Sequence, residues 1–245
     1  MINPFKYLYG PVYSWRLGRS LGIDPLSRPQ KICNLNCVYC QLGLTSNLNH
    51  ERKEYVPTEN IVEEISRLPL HFIDYLTFSG RGEPTLAKNL GDMIRQIKKI
   101  RTEKVAVITN SSLMNQQSVQ NDLKEADFVL AKLDASDQTS FDNVDGGNLE
   151  FDHMLKGIYD FRKGYKGKFA LQVMLIDENL DNVSELAAIA RNLNPDEVQL
   201  NTPLRPCGVK PIERIEMEWA KKFFGDMPVV SVWDSPQKTY SPLDE

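Results

Sequence analysis

No run in this sequence approaches the roughly 20 apolar residues that a membrane-crossing helix needs. The N-terminus, Met1 to Lys6, carries no apolar core of the kind found in secretory signals. A cytoplasmic location and no membrane partner are therefore expected. Repeats, low-complexity tracts and linker-like stretches are also missing, so one domain over 1–245 is expected. Charge of a single sign is scarce: 29 Lys and Arg face 33 Asp and Glu, a formal net charge of −4. That balance argues against a protein built mainly to hold nucleic acid, while leaving room for a local basic patch. Cysteine is scarce too, with four in 245 residues. Three of the four crowd together, which in a reducing compartment reads as metal or redox chemistry and not as a disulfide framework.

The crowding has a definite spacing. Cys33-Asn34-Leu35-Asn36-Cys37-Val38-Tyr39-Cys40 is Cys-x3-Cys-x2-Cys with an aromatic residue before the last cysteine. Three thiolates from one tight loop can hold three corners of a cubane iron–sulfur cluster, where full protein ligation would need four. One iron would then be open to something other than protein. The alternative is zinc, which closes structurally with four ligands, often as two Cys-x2-Cys pairs. Cys207 is the one further cysteine, and no His or Cys completes a second pair at the usual spacing. His50, His71 and His153 share no metal-site spacing and read as structural.

Short β-rich runs alternate with helical patterns along the rest of the chain. Strands are predicted near Leu17–Ile23 and at Ile73–Phe78, Val105–Thr109, Phe128–Leu133, Phe169–Ile176 and Glu197–Thr202, each mostly apolar as buried parallel strands tend to be. Helical stripes are predicted through Leu86, Leu90, Met93, Ile94, Ile97 and Ile100, and through Leu186, Ile189, Ala190 and Leu193, with Asn182 and Glu185 spaced as a capping box. A third runs through Ile212, Ile215, Trp219 and Phe223, entered at Pro211. Thr58 is placed to cap a helix carrying Ile61, Ile65 and Leu68.

About six strand–helix units imply right-handed crossovers and a parallel sheet. They are too few for a closed eight-stranded barrel. The expected fold is therefore α/β, a partial (βα)6 TIM-like barrel with outer helices. Residues 1–30 form a lead-in and first strand, 31–225 the barrel core with the cysteine loop at 33–40, and 226–245 a closing strand (Asp226–Val232) and frayed tail.

Polar residues gather where the predicted strands end, which is where barrels bind ligands. Thr77-Phe78-Ser79-Gly80-Arg81-Gly82-Glu83-Pro84-Thr85 follows the second strand. Asn110 and Ser111, Asp134, and Asn201 end later ones, while Gln172 and Met174 lie on the fifth. Arg16, Arg19 and Arg28 approach the cysteine loop in sequence and suit an anionic substrate or a solvated surface.

With these motifs the chain resembles the radical S-adenosylmethionine (radical SAM) superfamily. The resemblance implies that Cys33, Cys37 and Cys40 ligate a [4Fe–4S] cluster whose open iron chelates S-adenosylmethionine. It further implies reductive cleavage of that cofactor and hydrogen-atom abstraction from a substrate, with an electron donor such as flavodoxin or ferredoxin. Tyr39 would lie near the adenine. Gly80-Arg81-Gly82-Glu83-Pro84 resembles the family's Gly-Gly-Glu-Pro segment along the methionine part, with Arg81 replacing the first Gly. Asn110, Ser111, Asp134, Gln172 and Asn201 would contact the ribose, carboxylate or adenine.

Residues 9–25, 41–43 and 54–58 resemble a branch described as Fe–S oxidoreductases related to wyosine synthase. Those synthases carry extra N-terminal cysteines for a second cluster, and no cysteine precedes Cys33, which argues against wyosine formation. Cys207, between Pro206 and Gly208 on the same rim, reads as an inert small residue or as a catalytic hydrogen-atom donor, tether or iron ligand. The substrate is left open among an RNA base, a peptide and a small metabolite. Alternatives are an activating enzyme that installs a radical on a partner protein, and a non-catalytic zinc or redox module that binds RNA.

Overall fold

Apolar runs too short for helices, joined by amphipathic stretches, pair side by side and cover their outer face with the helices between them. The computed structural model describes residues 5–46, 48, 51–68 and 73–234. Its eight strands lie in chain order across one sheet: β1 (Leu8–Ser14), β2 (Gly18–Ile23), β3 (Tyr75–Phe78), β4 (Lys104–Thr109), β5 (Phe128–Lys132), β6 (Lys168–Met174), β7 (Glu197–Asn201) and β8 (Val229–Ser231). Only β1 runs antiparallel to its neighbour, and every other pairing is parallel. The sheet curls into a half-barrel surrounded by helices, as expected for a partial TIM-like barrel.

Among the described residues the helices are α1 (Thr58–Ser66), α2 (Leu90–Ile100), α3 (Gln117–Leu123), α4 (Gln138–Val144), α5 (Phe151–Gly164), α6 (Asp177–Leu180), α7 (Val183–Leu193) and α8 (Arg214–Lys221). Alternate strand residues serve two cores. Val105, Val107, Val129, Ala131, Phe169, Leu171 and Val173 pack outward with Leu90, Met93, Ile94 and Ile97 of α2 and the apolar residues of the other helices. Ala106, Phe128, Leu130 and Ala170 point the other way and form a separate interior cluster with Leu17. Burial on both faces is why these strands read as continuous apolar runs.

Several expectations shift. The hairpin partner β1 carries no strong strand signal, because Gly10 and Pro11 interrupt its alternation and a register shift falls between Tyr9 and Val12. β8 pairs with β7, so 226–232 extends the sheet without joining β1, and β1 and β8 remain its edges. Strand boundaries move by one or two residues at Ile73, Leu133, Ile176 and Thr202.

Thr58 is the first helical residue and not a cap; its hydroxyl accepts from Asn89 Nδ2 at 3.1 Å. Asn182 occupies the N-cap of α7 but donates to Ser136 Oγ, while Glu185 bonds Ser184, so no capping box forms. Leu86 belongs to a short 3-10 turn, Pro84–Leu86, before α2, and Ile100 at the other end of that stripe is exposed. In α8 the buried residues are Met217 and Ala220, while Ile215 and Trp219 are exposed, and Pro211 lies before the helix. Helices α3 to α6 fall outside the predicted stripes, three of them being seven residues or shorter. His153 is exposed on α5, and His50 and His71 lie outside the described residues.

Gly157, inside α5, shows how closely the outer layer is packed. A Cβ there would lie 2.3 Å from Asn115 N and 2.6 Å from Met114 C. Gly→Ala inside a free helix gains up to about 1 kcal/mol, whereas forcing a methyl group into a packed site costs about 1–3 kcal/mol. The clash is with backbone and cannot be relieved by a side-chain rotation. Gly157→Ala is therefore expected to lower the urea midpoint, and a raised midpoint would show that the helix can move off the 114–115 turn.

Candidate active site

The cysteine loop leaves β2 at the C-terminal edge of the barrel and is fastened on both sides. On one side Ile32 pairs with Gly82 as a parallel bridge: Ile32 N donates to Arg81 O (3.1 Å) and Glu83 N donates to Ile32 O (2.9 Å). A Cβ at residue 82 would fall 1.7 Å from Ile32 O, so only glycine permits this approach. Gly80 has φ +119°, in the region that favours glycine, and a Cβ there would meet Asp24 Cγ at 2.5 Å. On the other side Asn36 N donates to Asp145 O and Gly146 O (both 2.8 Å), and Val38 N to Val144 O (2.9 Å). The loop is thus held between the end of β3 and the end of α4. Beneath it, the buried Asn34 side chain donates to Ser112 Oγ (2.7 Å) and accepts from Asn110 Nδ2 (3.0 Å).

All three loop cysteines are free thiols facing one cavity of about 740 Å³. Asn110 Nδ2 approaches Cys33 Sγ at 3.6 Å, and Cys37 Sγ donates to Asp145 Oδ1 at 3.3 Å. Burial pushes both thiols up; Glu83 adds to this at Cys33 and Asp145 at Cys37. Metal-free, both are protonated at neutral pH, and a metal must displace their protons to bind. Among the described residues no group of three or more His, Cys, Asp or Glu is placed to hold a single metal ion. The donor set is therefore not that of a closed mononuclear zinc site, which needs four convergent ligands. Three thiols on one rigid loop, open to a cavity on their remaining side, fit an iron–sulfur cluster with one non-protein ligand.

Glu83 is buried at the cavity wall. Its Oε1 accepts from Thr85 N (3.0 Å), Thr85 Oγ1 (2.6 Å) and Thr109 Oγ1 (2.7 Å); Oε2 accepts from Asn110 N alone (2.7 Å). Burial raises its pKa and these donors oppose the rise. Oε2 keeps the larger spare acceptor capacity for a cationic ligand group.

Tyr39 is locked beside the cysteines. Its hydroxyl donates to Asp134 and to Asp145 Oδ1 (3.0 Å), and accepts from Lys132 Nζ (2.8 Å), which also lies 4.3 Å from the Tyr39 ring centroid. Lys132 pairs with Asp134 at 2.9 Å. Burial raises the Tyr39 pKa well above its ordinary value, and Asp134 and Asp145 raise it further. Burial would lower Lys132, but Asp134 leads the charges that outweigh it, so Lys132 stays a cation. Burial and the neighbouring Asp134 push Asp145 up to about 7.

The cavity brings together Cys33, Cys37 and Cys40 with Tyr39, Gly80 and Gly82. Glu83, Asn110, Met174 and Asn201 also line it. Five others are placed elsewhere. Pro84 is buried as the first residue of the 3-10 turn capped by Glu83. Ser111 is fully buried and its hydroxyl donates to Lys132 O (2.8 Å), tying β4 to β5. Asp134 turns away past the strand end to Tyr39, Lys132 and Met174 N (2.6 Å). Gln172 is buried within β6, off the cavity lining. Cys207 packs with Tyr39, Val144 and Ile176 and donates to Val209 O (3.3 Å), also off the lining.

Of the N-terminal arginines only Arg16 reaches the cavity; the exposed Arg28 bonds Tyr55 O (3.2 Å). Lys132 and Arg205 line the cavity without having been singled out from sequence. For Lys132 the signal was available: it shares the inward parity of Phe128 and Leu130 on β5.

A curled parallel sheet with a cysteine triplet after its first parallel strand and a cavity at the strand ends defines a class. The chain belongs to the radical SAM superfamily, whose sequence pattern it matches over residues 27–190. It is 39% identical over 242 residues to a UPF0026 protein of Synechocystis sp., covering 95% of this chain and 88% of that one. A UPF0026 protein of Methanocaldococcus jannaschii is 37% identical over 219 residues, covering 86% and 67%. Among solved structures, TYW1 with a lysine–pyruvate adduct bound superposes with a TM-score of 0.67 at 17% identity, covering 85% of this chain and 74% of that one, a likeness of fold. The protein is an enzyme of the radical SAM class, which uses S-adenosylmethionine, an iron–sulfur cluster and an electron donor. Among the described residues no helix is long and apolar enough to cross a membrane.

The lock around Tyr39 depends on Lys132. Lys132→Met would leave Asp134, with 1% side-chain exposure, buried without its cation. Removing one partner of a buried pair costs about 3–5 kcal/mol. A large drop in the thermal midpoint of the as-isolated protein is expected; a change under about 0.5 kcal/mol, the scale of an ordinary surface substitution, would show that Asp134 does not need the lysine.

Proposed function

We propose that Cys33, Cys37 and Cys40 hold three irons of a [4Fe–4S] cluster and that S-adenosylmethionine binds the fourth within the cavity. The observation that carries this reading is that the three thiols share one wall of the cavity with Gly80, Gly82 and Glu83. When bound, the pair supplies reductive cleavage of the sulfonium C–S bond and hydrogen-atom abstraction from a substrate. The protein's part is to bind, orient and exclude. Glu83 Oε2 and the backbone around Gly82 receive the cofactor's amino group. Asn110, already turned towards Cys33 Sγ, tunes that ligand through its amide donor. Asn201 supplies a polar contact across the cavity. Lys132 holds the Tyr39 ring in place beside the cysteines. Val12, Leu204 and Val232 form the apolar part of the wall that keeps water from a reactive site.

The substrate is a molecule that enters this cavity, and the reductant is a flavodoxin- or ferredoxin-like donor. A zinc module is disfavoured by the donor set, which opens on the cavity and does not converge on one ion. Cys207, off the lining, gains no support as a hydrogen-atom donor.

Anaerobic purification tests the reading. A brown protein with about four irons per chain, releasing 5′-deoxyadenosine when reduced with S-adenosylmethionine, is expected. Cys37→Ala should lose the broad visible absorbance and the product together. A colourless protein with stoichiometric zinc would overturn the assignment, as would unchanged iron in Cys37→Ala.

A further inference from the structure

The cavity's charge runs against that of the chain. The formal net charge is −4, yet the cavity is lined by Arg16, Lys31, Lys132 and Arg205 against one carboxylate, Glu83. Among the described residues only Lys132 of these four has a carboxylate partner. Lys132 pairs with Asp134, and Lys31 Nζ donates to Gly43 O (2.9 Å) beside the cysteine loop. Glu83 is held by Thr85, Thr109 and Asn110 and reaches neither arginine. Lys31, Arg16 and Arg205 have no carboxylate partner among the described residues, and of the three Arg16 has a buried donor with no partner of any kind.

Arg16 lies in the β1–β2 turn with its guanidinium carbon 4.6 Å from the Trp15 ring centroid. Its Nε is buried and has no hydrogen-bond partner. Among the described residues no carboxylate pairs with it. Burial, and then the charge of Arg205, lowers its pKa to about 10, so the two guanidinium groups act on each other with no anion between them. Arg205, exposed in the loop after β7, bonds the neutral Gln41 Oε1 at 3.2 Å, and among the described residues it has no carboxylate partner. Arg16 is half-buried with its Nε sealed from solvent and unpartnered, so a ligand that supplies an acceptor there gains a charge-assisted hydrogen bond on binding. A planar fork of N–H donors matches a carboxylate or a phosphate.

We infer that Arg16 and Arg205 form an anion clamp for the substrate, which carries a carboxylate or a phosphate group at the part held between them. Lys31, Lys132 and Glu83 lie with the cysteines, while the arginines come from the β1–β2 turn and from the loop after β7, which reaches Gln41 next to Cys40. Val12, Trp15, Leu204 and Val232 offer apolar surface to the rest of such a molecule. The inference rests on the proposed function only in taking this cavity as the place where substrate binds.

Anion binding is measurable without turnover. The anaerobically reconstituted holoenzyme is titrated with inorganic phosphate and, separately, with acetate, with sodium chloride holding ionic strength constant. Trp15 is read by the quenching of tryptophan emission against Trp15→Phe. Saturable quenching by one of the two anions is expected, phosphate indicating a phosphate-bearing substrate and acetate a carboxylate-bearing one. Affinity should fall at least about tenfold in Arg16→Gln, the scale of one charge-assisted hydrogen bond. Arg28→Gln, the same change at an exposed arginine outside the cavity, should leave it unaltered. Arg205→Gln, at an exposed position, repeats the test should Arg16→Gln not fold. Absence of saturable quenching, or saturation indifferent to both arginines, overturns the clamp. Competitive displacement of the anion by S-adenosylmethionine also overturns it, because the clamp would then serve the cofactor's own carboxylate. Release of 5′-deoxyadenosine is scored separately. Arginine-dependent anion binding without that product sinks the radical reading and keeps the clamp, and the product without such binding sinks the clamp alone.

Discussion

Ile32 and Gly82 run side by side, with Ile32 N donating to Arg81 O and Ile32 O accepting from Glu83 N, and the approach is so close that no side chain fits at position 82. This contact joins the two segments whose chemistry has to meet. One end of it leads to Cys33, the next residue, and the other to Glu83, also the next residue. A shift of either segment therefore moves a thiol relative to the carboxylate. The glycine and the cysteine spacing read as separate motifs in sequence, but in space they are one construction. Asp24 reinforces it by accepting from Leu26 N and Ser27 N at 3.0 Å each, and Gly80 turns directly against that carboxylate.

The far side of the loop is secured by a costlier device. Tyr39, Lys132, Asp134 and Asp145 place two carboxyl groups and one cation largely out of water, and burial is the strongest influence on the protonation of Tyr39, Lys132 and Asp145. Such a cluster adds little net stability, because the attraction is offset by loss of hydration. It does fix orientation. The Tyr39 hydroxyl has three partners, and the backbone of Met174 and the Asn179 side chain hold Asp134 in turn. The aromatic residue before the third cysteine is thereby positioned from strands β5 and β6, far along the chain.

The fold was legible because its signal is periodic: inward and outward strand residues alternate over apolar runs, and the long helices repeat every 3.6 residues. What was missed has local causes. The β1 edge strand is broken by Gly10-Pro11, and helices of seven residues or fewer carry too few turns for a stripe; the 14-residue α5 was missed although Phe151, Met154, Ile158 and Phe161 do form one. In α8 the stripe was read through Ile215 and Trp219, whereas the buried face runs through Met217 and Ala220. At the site, residues fixed by covalent spacing were legible: the cysteines, Gly82 and Glu83. Residues whose role depends on where a chain turns after its strand were not. Ser111 and Asp134 stand at strand ends as ligand residues do, yet both turn back to bind protein. Lys132, one position inside the strand, faces the cavity. Arg205 was beyond reach, since nothing in a loop sequence reports which strand it returns to.

The balance of charge explains why the two halves of the cavity need different contents. At the cysteine wall, burial and the carboxylates of Glu83 and Asp145 disfavour thiolates, while Lys31 and Lys132 oppose them at Cys33 and Cys37 respectively. A bound cluster would bring cationic iron to thiols that are otherwise held protonated, so its assembly and proton release are coupled there. At the arginine wall the imbalance has the opposite sign, and among the described residues no carboxylate pairs with either arginine. Were S-adenosylmethionine to chelate the open iron, its amine would be neutral and its carboxylate engaged there, so it would leave no spare anion for the arginines. The clamp assigns the missing anion to the molecule on which the enzyme acts, and it does so because the arginines and the cysteines line one cavity while, among the described residues, only the cysteines have groups in the chain that oppose their charge.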